Sequence, residues 1–520
     1  MCSCGNNKNS PSNQTILYNL SDDPDTLDPQ VANSTSSQIV LTNIFEGLVK
    51  VDKDNNLVPG VASSWEHNSD YTSFTFHLRE NAVWSDKNKT PVTADDFIFG
   101  IRRAVAKETD APNASLLFPI KNAREIHNGN LSDSTLGISA PDSKTIVINL
   151  EYSYDDFPRI LSYPVAMPCN EAFFESTNGK YGLESSTTLC NGPFKLQSKY
   201  GWSHDEDIYL IANDSYIGNF SPIPAGITFS IGEDTSDLVN CIETNQVDAG
   251  PLLSSQLEIA KQKNFSITTF ENTTCGLCFN FQDEVFSNLN IRKAFITAID
   301  RDYALSSIPE NCTVASDIIM DSAIIDGKNY RELAGSNLYL KESDNPSSYL
   351  NAGLKELGLT ELPVVTIICE DDPRVKSIVN NMIEVFNKKL SYYFNINAMS
   401  EDKVNSKVQL GQYQIIITSI SSSSDNPIEV LSAFRTNASN NPCDMKDSTY
   451  DKLLESCENA RTNEKIDLCS QAEKYLNNVG AFYPLYYKNR YFACAANVSG
   501  IAFYHHNSGI DFSKAVKTKR

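Results

Sequence analysis

Phe74-Thr75-Phe76-His77-Leu78, Arg79 to Trp84-Ser85-Asp86, and Pro91-Val92-Thr93-Ala94-Asp95-Asp96-Phe97 are the residues whose reading decides the fold. The first five alternate apolar and polar with period two, the pattern of a half-buried strand. Thr93 is placed to cap free N–H groups, and Asp95 and Asp96 suit the positive end of a helix dipole, so a helix is expected from there toward Arg103. Trp84 and Phe97 read as core anchors, with Arg79 and Asp86 expected to pair beside them. A strand, a turn and a capped helix in so short a space point to mixed α and β structure.

Outward from this stretch, Ile16-Leu17-Tyr18 reads as a strand, and a helical pattern runs through Ile39, Ile44 and Leu48. Residues 136–151 suggest a strand pair around Pro141-Asp142. Residues 235–263 look helical, with one interruption at Gly250-Pro251, and 291–304 form an amphipathic helix. Beyond them Val364–Ile368 and Gln414–Thr418 read as strands, and 374–389, 448–461 and 463–477 as helices. At 520 residues the chain exceeds what one core of roughly 250–300 residues can serve. More than one domain is therefore expected.

The net charge of -22 disfavours a phosphate backbone, so no nucleic-acid partner is expected. No run of about 18 apolar residues is present to span a bilayer. The chain has no Gly-x-Ser-x-Gly elbow, Walker loop, Gly-x-Gly-x-x-Gly or His-Glu-x-x-His, and its six histidines fall in no catalytic pattern. Neither catalysis nor a cofactor is expected. Cys275-Gly276-Leu277-Cys278 has redox or metal spacing, but a strand would send positions three apart to opposite faces, and buried thiols are the simpler reading. His505-His506 offers imidazoles suited to nickel, zinc or copper without a clear third ligand. Cys457 with Cys469, and Cys169 with Cys190, are candidate disulfide pairs.

The residues quoted at the outset resemble the signature of family 5 extracellular solute-binding proteins, the peptide- and nickel-binding components of ATP-driven importers. Other segments fall in the same order: Thr26-Leu27-Asp28-Pro29, Phe45-Glu46-Gly47-Leu48, Pro59 to Trp65, Asn191-Gly192-Pro193-Phe194, Ile291-Arg292-Lys293-Ala294 and Ala298-Ile299-Asp300-Arg301. The resemblance implies an α/β, two-lobe periplasmic-binding-protein-like fold of the three-domain peptide-binding type, with a hinge between lobes. Residues 14–50, 187–270 and 491–520 would form lobe I, 51–186 an inserted domain, and 271–490 the other lobe. Peptide binders of this kind pair the ligand backbone with protein strands. Carried over, Asn33, Ser34 and Thr35 are one strand edge, Phe279 and Asn280 lie near the hinge, and Ile420, Ser421, Ser422, Ser423 and Asp425 form the opposing wall. Arg374 matches a place for a basic group facing the ligand's C-terminus.

That wall departs from the peptide-binding pattern. An aspartate that holds a peptide's ammonium is replaced by Ser423, with Asp425 two residues on, and an arginine on the preceding strand becomes Ile417. The expected ligand is a small polar solute, an oligopeptide first, with a metal chelate or an oligosaccharide as alternatives. Expected partners are the membrane permease of an ABC transporter and a lipid. The start, Met1-Cys2-Ser3-Cys4-Gly5 followed by the polar tether to residue 13, resembles a mature lipoprotein acylated at Cys2. A monomer held outside the cell membrane by that lipid is the expected state.

Overall fold

The computed structural model describes residues 14–53, 56–309, 312–325, 328–335, 345–392, 394–422, 426–436, 438, 441–460, 462–504 and 509–518, omitting the side chains of 272, 401, 402, 462 and 463. Two compact units divide the chain, one of residues up to Thr268 together with those from Tyr491, the other of Thr269–Arg490. The chain passes between them twice, inside the strands Ser266–Phe279 and Phe482–Cys494.

In the first unit, Thr15–Leu20 pairs in parallel with Gly226–Ile231 and, through Tyr18, with Ala249–Leu252. Asp207–Ala212 extends the sheet antiparallel, and Tyr491–Cys494 lies against Ala249–Leu252 on the other side. The region expected to be one interrupted helix is therefore helix, strand, helix, at Leu238–Glu243, Ala249–Leu252 and Leu257–Gln262. Gly250 and Pro251 pair with Ala493 and Phe492, and neither residue favours a helix interior.

The signature stretch builds a second, four-stranded antiparallel sheet in this unit. Its order is Ala62–His67, Ser73–Leu78, Thr145–Asn149, Ile138–Asp142. Phe74, Phe76 and Leu78 are buried while His77 is exposed, as period two requires. Helix Ala94–Val105 follows, and Trp84 and Phe97 are fully buried. Asp96 reaches back to the Thr93 N–H at 2.8 Å and also accepts from Trp84 Nε1 at 3.3 Å and Asn170 Nδ2 at 3.1 Å. One carboxylate thus caps the helix and orients the tryptophan.

The expected Arg79–Asp86 pair is replaced. Arg79 Nη1 meets Glu46 Oε2 at 2.6 Å and donates to the Gly60 carbonyl, and the Tyr216 hydroxyl donates to the other oxygen of Glu46. Asp86 instead accepts from the Thr90 N–H at 2.8 Å and from its hydroxyl at 2.9 Å, closing its own turn. A buried carboxylate at Glu46 demands a cation more strongly than Asp86, which the turn's own donors satisfy. Arg103 clasps Asp28 with both terminal nitrogens, at 2.6 and 3.3 Å.

A buried ion pair joins Lys50 to Asp511 at 2.7 Å. Burial pushes the Asp511 pKa up, but the Lys50 ammonium and the Ser513 donors outweigh it and hold the carboxyl below its ordinary range. A carboxylate depressed in the folded state contributes stability above its unfolded value, near 3.9, and loses it as pH falls through the folded value. Thermal midpoints should therefore drop below about pH 4, and Lys50→Met should flatten that drop. An unchanged pH profile in the variant would remove the pair from this role.

In the second unit, Val365–Glu370 pairs in parallel with Phe394–Met399 and with Ile415–Ser421, which runs antiparallel to Ser266–Phe279. Helices cover both faces of this sheet, giving two apolar cores. One holds Phe279, Phe286, Phe295, Phe386 and Phe394, with Phe295 edge-on to Phe386 at 5.2 Å and to Phe394 at 5.4 Å. The other lies under helices Pro427–Ser432, Ser448–Asn459 and Thr462–Asn478. Cys275 faces the first core and Cys278 the second, as strand geometry demands of positions three apart. Gly276 sits where the ring of Phe482 and the Tyr483 carbonyl leave no room for a Cβ.

All described cysteines are free and buried, so neither proposed disulfide is formed. Cys457 and Cys469 meet as thiols across their helix pair, and that contact, then burial, drives the Cys469 pKa well up. Cys169 instead receives the Arg103 guanidinium at 3.5 Å. No helix among the described residues is long and apolar enough to cross a membrane.

Candidate functional site

In the first unit the expected strand edge at Asn33–Thr35 is the mouth of a helix. Ser34 is the N-cap of Thr35–Ile44, accepting from the Ser37 N–H at 3.1 Å, and Thr35 is the first helical residue. Asp25 fixes all of this. It accepts from the Asn33 N–H at 3.2 Å, from the Ser34 hydroxyl at 2.9 Å and from the Ser37 hydroxyl. Burial raises the Asp25 pKa, yet these donors together bring it below the ordinary value. Asn33 and Thr35 are exposed, whereas the Ser34 hydroxyl is committed to the cap.

In the second unit the residues foreseen as a wall separate by role. Ile420 buries its side chain in the second core, leaving only backbone to the edge. Ser421 is exposed and pairs with Thr273, their hydroxyls 2.9 Å apart. Ser422 is buried and donates to Glu429 Oε2 at 3.1 Å. Ser423 and Asp425 lie outside the described residues, as do Cys2, His505 and His506.

Phe279 and Asn280 stand at the far end of their strand. Phe279 is fully buried, stacked on Phe286 at 5.5 Å. The Asn280 amide donates to the carbonyls of Gly411 and Tyr413 at 2.9 and 3.0 Å. Some ten residues of extended chain, about 30 Å, separate them from Thr269, where the strand enters the unit. They hold the core and a loop.

Arg374 is half-buried in the first turn of helix Pro373–Leu390, beyond the C-terminal end of strand Val365–Glu370. Close by is a small cavity of about 20 Å³, lined by Glu370, Asn405, Thr418, Ser419, Tyr486 and Lys488 above an apolar floor that includes Ile417. Lys488 and Glu370 face each other at 3.9 Å, both partly exposed. The sequence reading passed over this polar set. Its signal was a charged residue closing each of two apolar runs, Val365–Glu370 and Tyr483–Lys488. A larger cavity, about 400 Å³, opens at the opposite end of these strands, beside Thr366, Asn397, Lys407 and Gln414.

Among the described residues no group of three or more His, Cys, Asp or Glu is arranged to hold a metal. Asn33, Thr35 and Ser421 keep exposed polar side chains.

Residues 56–442 match the family model described as bacterial extracellular solute-binding proteins, family 5 Middle. The chain belongs to family 5 of the extracellular solute-binding proteins. The match takes in the signature sheet, the helix after it and most of the second unit. This solute-binding protein is 28% identical to the dipeptide-binding protein DppE of Bacillus subtilis, over 94% of this chain and 90% of that one. It is 25% identical to the periplasmic oligopeptide-binding protein OppA of Salmonella typhimurium, over 91% and 87%. Among solved structures, peptide-bound OppA of Listeria monocytogenes superposes with a TM-score of 0.75 at 25% identity, covering 98% of this chain and 99% of that one. The solute-binding protein thus has the two-lobe α/β fold of the family and serves as the substrate-binding component of an ABC importer.

Proposed function

We propose that this solute-binding protein captures a short peptide outside the cell and passes it to a membrane permease. The observation that carries the reading is likeness over nearly the full length of relatives named for dipeptide and oligopeptide binding. The site residues support it. Ser421 in the second unit, and Asn33 and Thr35 in the first, offer exposed neutral hydrogen-bonding groups suited to a peptide backbone. Such recognition is indifferent to most side chains, and Arg374 and Lys488 suit a ligand carboxylate.

The protein acts as a monomer in this reading, and a lipid on Cys2 holds it at the membrane. Mass analysis of the N-terminal fragment from membranes should then show an acylated cysteine, and an unmodified Cys2 would remove the anchor.

A thermal-unfolding screen tests the ligand. A peptide pool of two to six residues should raise stability by about 2.7 kcal/mol at a hundredfold excess over Kd, because ligand binds only the folded state. No shift with peptides beside a clear shift with oligosaccharides would reject the reading. Ser421→Ala should weaken peptide binding about threefold to tenfold, as expected for one neutral hydrogen bond.

A further inference from the structure

Elsewhere this fold neutralises its buried carboxylates. Glu46 has Arg79, Asp28 has Arg103, Glu473 has Arg331 and Asp511 has Lys50. Where no cation is at hand, neutral donors crowd in. The buried Asp96 takes groups from Thr93, Trp84 and Asn170, and even the exposed Asp25 takes the Asn33 N–H and two serine hydroxyls.

Glu271 breaks this pattern. Its side chain is half-buried on the strand Ser266–Phe279, two residues from Thr273 and two from Thr269, where the chain enters the second unit. One neutral donor reaches the carboxylate, the Thr313 hydroxyl at 3.0 Å. The charged group acting on it is Asp321, of like sign. Arg331, the cation beside Asp321, is spent on Glu473 and Asp317. Among the described residues no lysine, arginine or histidine forms an ion pair with Glu271. Burial, with Asp321 adding to it, accordingly lifts its pKa above the ordinary value despite the Thr313 bond. A carboxylate left so in mid-strand, two residues from the Thr273–Ser421 pair, is under-compensated.

We propose that Glu271 recognises a cationic nitrogen on the ligand, either the α-ammonium of a peptide or the ammonium or guanidinium of a basic side chain. The assignment rests on the peptide reading above and adds to it a charge preference. The cation supplies the compensation that the protein withholds, so selectivity comes from relief of an unfavourable state as well as from contact.

Calorimetric titration of the full chain tests this with four tripeptides: free trialanine, N-acetyl-trialanine, and acetylated tripeptides carrying a central lysine or a central norleucine. The unaltered protein should bind one cationic member about twofold to fivefold tighter than its neutral counterpart, the order expected of one partly exposed charge pair. Glu271→Gln, close in shape, should erase that difference while leaving the neutral peptides bound as before. Preference for free over acetylated trialanine identifies the α-ammonium, and preference for lysine over norleucine identifies a side chain. Glu271→Ala gives the same readout if the glutamine variant folds poorly. A cation preference that persists in both variants, or peptide binding with no preference in the unaltered protein, overturns the role of Glu271 alone. Failure of all four peptides to bind overturns the peptide reading and this assignment with it.

Discussion

Arg79→Met should lower the stability of the first unit by about 3–5 kcal/mol, because it strands the buried carboxylate of Glu46. Glu46 is 1% exposed and faces Arg79 at 2.6 Å. Its other oxygen takes the Tyr216 hydroxyl, which burial and the Glu46 charge keep protonated by raising its pKa. Methionine fills the arginine's apolar stem but offers neither the charge nor the donors to Glu46 and Gly60. All three tryptophans, Trp65, Trp84 and Trp202, lie in the first unit, so urea unfolding followed by their fluorescence reads this unit. Adding Glu46→Gln should recover part of the loss by removing the stranded charge, a non-additivity expected of direct partners. A cost under about 1 kcal/mol for the single variant would show that the pair is not what holds Glu46. Peptide affinity of the folded variant should be unchanged, since Arg79 touches no residue of the candidate site.

Glu473→Ala should cost a comparable amount, about 3–5 kcal/mol, in the second unit. Glu473 is fully buried and gathers four donors. They are Arg331 Nη2 at 2.9 Å, Arg331 Nη1 at 3.2 Å, the Ile319 N–H at 2.8 Å and the Tyr330 hydroxyl at 3.2 Å. Burial pushes its pKa up, opposed by Arg331 and the Ile319 amide. Alanine leaves those donors inside the protein with Asp317, at 3.5 Å from Arg331, and the more exposed Asp321, at 3.9 Å, to answer the charge. Glu473→Gln keeps one acceptor and the shape, and should lose roughly 1–3 kcal/mol. The second unit contains no tryptophan, so hydrogen exchange at Ile319 and along helix Thr462–Asn478 is the fitting measurement. Unaltered protection in Glu473→Ala would show that the network adds nothing to stability.

Much of the fold was legible because local rules and packing agree. Phe74–Leu78 alternates and is buried on alternate residues, the Thr93 helix start is capped, and strands 365–370 and 415–421 fall where their apolar runs predicted. Helix 291–304 came out as Leu289–Ala298 and Arg301–Ala304, broken where Asp300 caps the second piece by accepting the Tyr303 N–H at 3.1 Å. Gly250-Pro251 misled because its strand exists only through partners more than two hundred residues away in sequence, Tyr18 and Tyr491–Cys494. The family resemblance marked candidate ligand positions by alignment, and alignment does not say where a side chain points. Phe279 and Ile420 went into cores, Ser34 into a helix cap and Ser422 onto Glu429, while Ser421 stayed exposed.

The sequence by itself determined the signature sheet, its capped helix and the family, because periodicity, capping and core volume are written in neighbouring residues. Tertiary structure alone decided which charge meets which. Arg79 chose Glu46 over Asp86, and Glu271 was left with a threonine and a second acid for company. Ion pairing in a folded chain depends on burial and on contacts between distant segments, and neither is carried by local spacing. The residues at Phe74–Phe97 therefore fix what kind of protein this is, and the compensation of charge across the fold points to what it recognises.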